Sequence, residues 1–160
     1  MIVAQARSPS FYRDYGVPDT VSGRIDMIMM HLVLVLRRLR HPPANVRPLG
    51  QQIFDWFCRD MDHNFREMGV GDLAVPKEMR RVAEAFYGRA GAYEAALAGN
   101  DRTALASALA RNVFGLGEPH LGSRRLAVYM EEAQRQLETQ DPAVGVIQFP
   151  DPGQVIVAEC

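Results

Sequence analysis

The sequence predicts an all-α protein: a single compact helical domain of five to six helices with a short extended or hairpin C-terminal arm. Three observations carry that prediction. Apolar residues recur at i, i+3, i+4 and i+7 through most of residues 23–139, the period of helices buried along one face. Pro42, Pro43, Gly69, Gly71 and Gly99 fall between the periodic stretches, where helices stop. A chain of 160 residues with 48% hydrophobic and 23% charged residues has the composition of one ordinary globular domain. That length buries a core without disulfides or metals.

Each element has its own justification. Residues 1–22 are expected to be an irregular N-terminal arm packed on the core through Phe11, Tyr12 and Tyr15. The helical domain proper spans residues 23–139. Its first helix is predicted over Gly23–Arg40, with Ser22 as an N-cap and Ile25, Met29, Leu32, Leu36 and Leu39 on one stripe. Ile28, Met30, Val33, Leu34 and Val35 add apolar surface around it, so the helix is either central or faces a partner. The second helix, Pro48–Met68, carries the stripe Leu49, Ile53, Phe57, Met61, Phe65, Met68 and the acid-first pairs Asp55–Arg59 and Asp62–Arg66. The third, Pro76–Ala98, buries Met79, Val82, Phe86, Ala90, Tyr93 and Leu97. Ala85, Gly88 and Ala92 give it a small-residue face that lets another helix approach closely. A fourth helix follows over Asp101–Phe114 and a fifth over Ser123–Thr139. Residues 140–160 form the C-terminal extended arm, where Val144–Phe149 and Val155–Val157 flank Pro150-Asp151-Pro152-Gly153 like the strands of a hairpin.

Charge and cysteine content narrow the function. A net charge of -1 gives no global attraction to nucleic acid or anionic lipid. The cations are almost all arginine, with Lys77 the single lysine. They gather locally, as Arg37, Arg38, Arg40 and Arg47, and as Arg124 and Arg125 at a helix start, where positive charge opposes the dipole. Cys58 and Cys160 make no disulfide framework, which fits a reducing compartment. No basic leader precedes a long apolar region, so neither a signal nor a transit peptide is expected. The longest apolar run, Met27–Leu36, is far short of the roughly 20 residues of a bilayer span.

No constellation points to catalysis. Asp60, Asp62 and His63 are close in sequence, but successive helical residues diverge by about 100° and cannot converge on one ion. Neither cysteine sits in a nucleophile motif, and Gly69-Val70-Gly71-Asp72 lacks the lysine and hydroxyl of a phosphate loop and follows a helix. The expectation is a binding protein, not an enzyme, with no cofactor, no metal and no DNA partner. A client site is expected on the first helix, where Met27, Met30 and Leu34 offer adaptable apolar contact edged by Arg37 and Arg38. Asp60, Asp62, Arg66, Asp72, Lys77 and Arg89 are expected to form one polar network tying the second helix, the Gly69–Asp72 turn and the third helix together. Two other classes compete: a ribosome- or RNA-binding module using the arginines, and a heme-handling bundle with His31 or His63 as ligand.

Several long motifs are specific. His31–Leu39 reads HLVLVLRRL, and Phe54–Asp72 reads FDWFCRDMDHNFREMGVGD. VPKEM follows at Val75–Met79, AEAFYGRA at Ala83–Ala90, and GVPDT lies upstream at Gly16–Thr20. Together, over about Tyr12 to Leu97, these resemble the ubiquinol–cytochrome c chaperone family. The resemblance implies a non-catalytic helical chaperone that binds newly made cytochrome b and supports assembly of respiratory complex III. It further implies contact with the ribosome exit region, as mitochondrial members make. With no leader in view, the chain resembles a bacterial member, which implies the cytoplasm and a peripheral position on the cytoplasmic face of the inner membrane. The family supplies no catalytic residues.

Overall fold

A computed structural model describes residues 1–40, 47–141 and 147–158. The described residues are helical, with no strand: α1 (Ile2–Ala6), α2 (Pro9–Arg13), α3 (Val21–Arg38), α4 (Arg47–Glu67), α5 (Val75–Ala98), α6 (Arg102–Phe114), α7 (Leu121–Glu138) and α8 (Pro152–Ala158). The five long helices, α3 to α7, are those the apolar period predicts, displaced by one or two residues at their ends. The three short ones come from the two arms.

The first long helix is the axle of the domain. α3 touches α1, α4, α5, α6 and α7, and every residue from Asp26 to Val35 is buried. A helix apolar on all sides satisfies itself only at the centre of a bundle, and that is where α3 lies. Its cap is Thr20, two residues earlier than expected, whose hydroxyl accepts from the Gly23 amide at 3.1 Å. α6 and α7 pack against each other and against α3, while α4 packs mainly on α5 and touches α3. The α4–α5 hairpin meets across an aromatic seam in which Phe54 and Phe57 lie 5.2 and 6.2 Å from the Phe86 ring.

The N-terminal segment is helical rather than irregular, and it is built into the core. Phe11 and Tyr15 are buried, and Phe11 stacks edge-on at 4.8 Å from Tyr129 of α7 and 5.5 Å from His31 of α3. Tyr12 is half-buried and donates its hydroxyl to the Ala6 carbonyl. Two glycines hold this segment tight. A Cβ at Gly23 would lie 2.1 Å from the Pro18 carbonyl oxygen, and one at Gly122 would lie 2.3 Å from that of Tyr15. The starts of α3 and α7 are therefore both pressed against residues 15–18.

The C-terminal arm differs from expectation. Residues 152–158 form α8, packed on α7 and α2, in place of a hairpin strand. The reason is local: the Asp151 carboxylate accepts from the Gly153 and Gln154 amides, and Pro152 fills the first turn. This start signal outweighs the β-preference of Val155, Ile156 and Val157. Val144–Val146 lie outside the described residues. The chain from Ile147 to Pro150 forms no helix or strand, and the Gln140 side-chain amide both donates to the Gln148 carbonyl and accepts from its amide, each at 2.8 Å.

Candidate functional site

The buried histidine at the centre of the domain is engaged in structure. His31 is buried, and its Nδ1 donates to the Met27 carbonyl at 2.7 Å, which leaves Nε2 to accept from the Tyr129 hydroxyl at 3.0 Å. Tyr129 in turn accepts from the Gln5 amide, which also reaches the Pro150 carbonyl. Burial pushes the imidazole down to about 4, so it is neutral. Both ring nitrogens are occupied, and axial ligation of heme by His31 would require breaking this chain. His63 is exposed and lies 3.2 Å from Glu67. Among the described residues, no three His, Cys, Asp or Glu side chains converge as a metal site.

The expected client strip is not at the surface. Met27, Met30 and Leu34 are buried to within 1%, because α3 is enclosed by helices on all sides. This corrects the sequence expectation: those residues are core. Arg37 and Arg38 do reach a cleft of about 410 Å³ with Arg40, Gln134 and Glu138. Arg38 is committed there to structure, donating to the Leu137 and Gln140 carbonyls at 2.9 and 2.7 Å and so closing the end of α7. Arg40 pairs with Glu94 of α5.

The polar motif divides into separate parts. Arg66 bridges Asp62 at 2.7 Å and Asp72 in the turn, while Asp60 accepts from Asn64. Lys77 is exposed and makes no ion pair among the described residues. Arg89 belongs elsewhere. It pairs with the buried Asp26 of α3 at 2.7 Å and donates to the Asn112 carbonyl of α6. The expected single network is therefore corrected: Arg89 sits about 20 Å along α5 from the Asp72 turn, out of side-chain reach. Burial of Asp26 raises its carboxyl to about 6, against the pull of Arg89. The pair Asp55–Arg59 is absent among the described residues; Asp55 accepts from Gln51.

The open apolar surface lies on the α4–α5 hairpin instead. Tyr87 is 63% exposed and packs one edge on Phe54, with ring centroids 5.9 Å apart. Beyond it, Gly88, Gly91 and Ala95 face solvent, and a Cβ at either glycine would meet nothing within 4 Å. Of the small-residue face expected on this helix, Ala85 and Ala92 are part-buried, Ala92 against the core, and Gly88 alone is exposed. The two charges within this stretch, Arg89 and Glu94, are turned away into the pairs with Asp26 and Arg40. Across α4, Trp56 is 53% exposed and forms a shallow groove with Ile53 and with Met1, Ile2 and Val3 of the N-terminal end. Leu73 at the hairpin turn is 99% exposed. The signal for Trp56 and Tyr87 was in the sequence: each is an aromatic one step off its helix's buried stripe.

Similarity to known proteins follows this geometry. The family described as ubiquinol-cytochrome C chaperone matches residues 13–145. The crystal structure of the Cbp3 homolog from Brucella abortus is similar, with 41% identity and a TM-score of 0.86, over 96% of this chain and 86% of that one. Among curated proteins no sequence relative is found. The match spans α3 to α7 and the motifs of the α4–α5 hairpin, and the chain belongs to the ubiquinol-cytochrome C chaperone family.

Proposed function

We propose that this protein is a non-catalytic assembly chaperone that binds newly made cytochrome b and supports assembly of respiratory complex III. Membership of the chaperone family carries the proposal. The surface suits the task. A membrane-spanning client segment is apolar along its length, and helices in lipid meet closely where small residues let their backbones approach. The Gly88–Gly91–Ala95 stretch of α5 is open and carries only small side chains, with the Tyr87 ring and Phe54 beside it. It offers a helix-sized platform in place of the buried Met27, Met30 and Leu34. Arg37 stands at the mouth of the neighbouring cleft, available to acidic loops of the client. No described helix is long and apolar enough to cross a membrane, so the client's bilayer would be met from the side, as a peripheral contact.

The test uses photo-reactive residues placed at Tyr87, at Gly91 and, as a buried control, at Leu34. Cross-links to cytochrome b from the first two positions and none from the third are expected. A strain lacking the protein should synthesise cytochrome b yet accumulate little assembled complex III. Normal complex III in that strain would defeat the assembly role; cross-links absent from Tyr87 and Gly91 but present elsewhere would move the site.

A further inference from the structure

From Gly88 to Ala98, α5 carries only four long side chains, Arg89, Tyr93, Glu94 and Leu97; all the others are glycine or alanine. Tyr93 and Leu97 are buried and mark the inward direction. At about 100° per residue, Arg89 stands roughly 60° to one side of that direction and Glu94 roughly 80° to the other. Both are tied to α3. The Arg89 guanidinium pairs with Asp26, near the start of α3, at 2.7 Å. It also donates to the Asn112 carbonyl of α6 at 3.3 Å and approaches the Met29 sulfur at 3.1 Å. Glu94 pairs with Arg40, just past the end of α3. At 1.5 Å per residue, Asp26 and Arg40 stand about 20 Å apart along α3, whereas Arg89 and Glu94 are only about 7.5 Å apart along α5. The two ion pairs therefore brace α5 from opposite flanks, at two well-separated points of α3.

The Asp26–Arg89 pair is a poor source of stability. Its side chains are 7% and 17% exposed, so both charges have left most of their water. Attraction offsets that loss only where every remaining donor is satisfied, and the buried Arg89 Nε has no hydrogen-bond partner. Apolar side chains of similar volume would hold α5 on α3 at least as firmly. They would not select one rotation of it. Around this half of α5 the neighbours differ by a methyl group or less, so a modest turn exchanges one small residue for the next with little change in packing. An ion pair is directional, and a single buried polar contact is enough to fix the register of packed helices.

We propose that Asp26 and Arg89 are positioning residues: their pair, braced by Arg40 and Glu94, fixes the rotation of α5 on α3 that turns Tyr87 and Gly91 to the surface. This rests on the reading that the Tyr87–Gly91 side of α5 meets the client. Tyr87 and Gly91 each lie two positions from Arg89, about 160° round the helix from it, so drawing Arg89 inward drives both outward. With the pair gone, α5 is free to turn. Ala96, on the Arg89 side and 5% exposed, then comes towards solvent, while Gly91 moves towards cover.

The test reads the rotation without any client. Gly91→Cys and, separately, Ala96→Cys are made in the full chain with Cys58→Ser and Cys160→Ser, and the rate of each thiol with a maleimide is measured. Position 91 should react about a hundredfold faster than position 96, which waits on local opening. Adding Asp26→Leu with Arg89→Met should leave the melting temperature no lower, yet shrink that ratio about tenfold or more, with position 96 faster and position 91 slower. Where Asp26→Leu prevents folding, Asp26→Asn with Arg89→Met carries the same comparison. Arg89→Lys, which keeps a cation opposite Asp26, should hold the ratio within about threefold. An unchanged ratio in the double variant overturns the proposal, because apolar packing then sets the rotation. A parallel rise at both positions also overturns it, since the helix has loosened and not turned. So does an Arg89→Lys chain that behaves like the double variant. Cross-linking of cytochrome b from Tyr87 should be lost in the double variant, and its survival beside a turned helix would overturn the positioning role. Absence of that cross-link in the otherwise native chain, with the thiol ratios as expected, is instead a failure of the client reading alone.

Discussion

Two buried ionisable groups on α3 should give the protein a flat stability profile between about pH 4 and 6, and removing either one should tilt it in opposite directions. Asp26 goes from 3.8 in the unfolded chain to about 6 in the fold because burial penalises its carboxylate. An acid whose folded value is raised binds its proton more readily in the fold. Its contribution to stability therefore rises as pH falls from 6 towards 4, by about 1.4 kcal/mol per pH unit and about 3 kcal/mol in all. His31 goes the other way, from 6.5 to about 4, because burial penalises the imidazolium. Here the unfolded chain binds the proton first, so stability is complete above 6.5 and is lost as pH falls towards 4, with a similar slope and total. The two slopes cancel where the windows overlap. The pairs of exposed Asp14, Asp19 and Asp62 with their arginines lower those carboxyls below 3.8, outside the window. Urea unfolding at half-unit steps from pH 4 to 7 measures the effect. Asp26→Asn should leave a slope of about +1.4 kcal/mol per unit from His31 alone, and His31→Gln about −1.4 from Asp26 alone. Asp26→Asn also leaves Arg89 buried and unpaired, which lowers stability at every pH by roughly 3–5 kcal/mol. The double variant Asp26→Asn, Arg89→Met removes that offset and keeps the slope. Parallel wild-type and Asp26→Asn profiles would show that Asp26 titrates as an exposed carboxyl, and would refute the argument.

Three further outcomes follow from the packing. Phe57→Ala and Phe86→Ala, both buried in the α4–α5 seam, should each cost about 3–5 kcal/mol in urea melts, whereas Tyr87→Ala should cost far less and be seen mainly as lost client cross-linking. A double-mutant cycle of Asp72 against Arg66 should give at most about 1 kcal/mol, because the pair is exposed. The same cycle against Arg89 should give zero, since Arg89 pairs on another helix. Gly122→Ala should destabilise strongly, its methyl meeting the Tyr15 carbonyl oxygen, while Gly91→Ala, with open space at its Cβ, should leave the melt nearly unchanged or raise it.

The long helices were legible because each is amphipathic over several turns, and a 3.6-residue period is a local property of the chain. The stripes of α4 and α5 could be written down, and they meet at Phe57 and Phe86. The stretch of α8 departs from the hairpin its composition suggests, although its start signal, Asp151-Pro152, is as local as any. The β-preference of Val155, Ile156 and Val157 points to a strand, whereas the cap that satisfies two amides decides for a helix.

The candidate site lay beyond local reasoning. Met27, Met30 and Leu34 have the same composition whether they meet a client or another helix of the same chain, and only the enclosure of α3 by five neighbours decides between them. Arg89 was identifiable as a charge, but its partner Asp26 lies 63 positions earlier, brought close by the packing of α5 on α3. By itself the sequence determined the helical class, the helix limits to a residue or two, and, through long motifs, the family. The tertiary structure alone decided which apolar faces remain open. Exposure is the remainder after every helix has found its neighbours, and so it is a property of the whole chain rather than of any one segment.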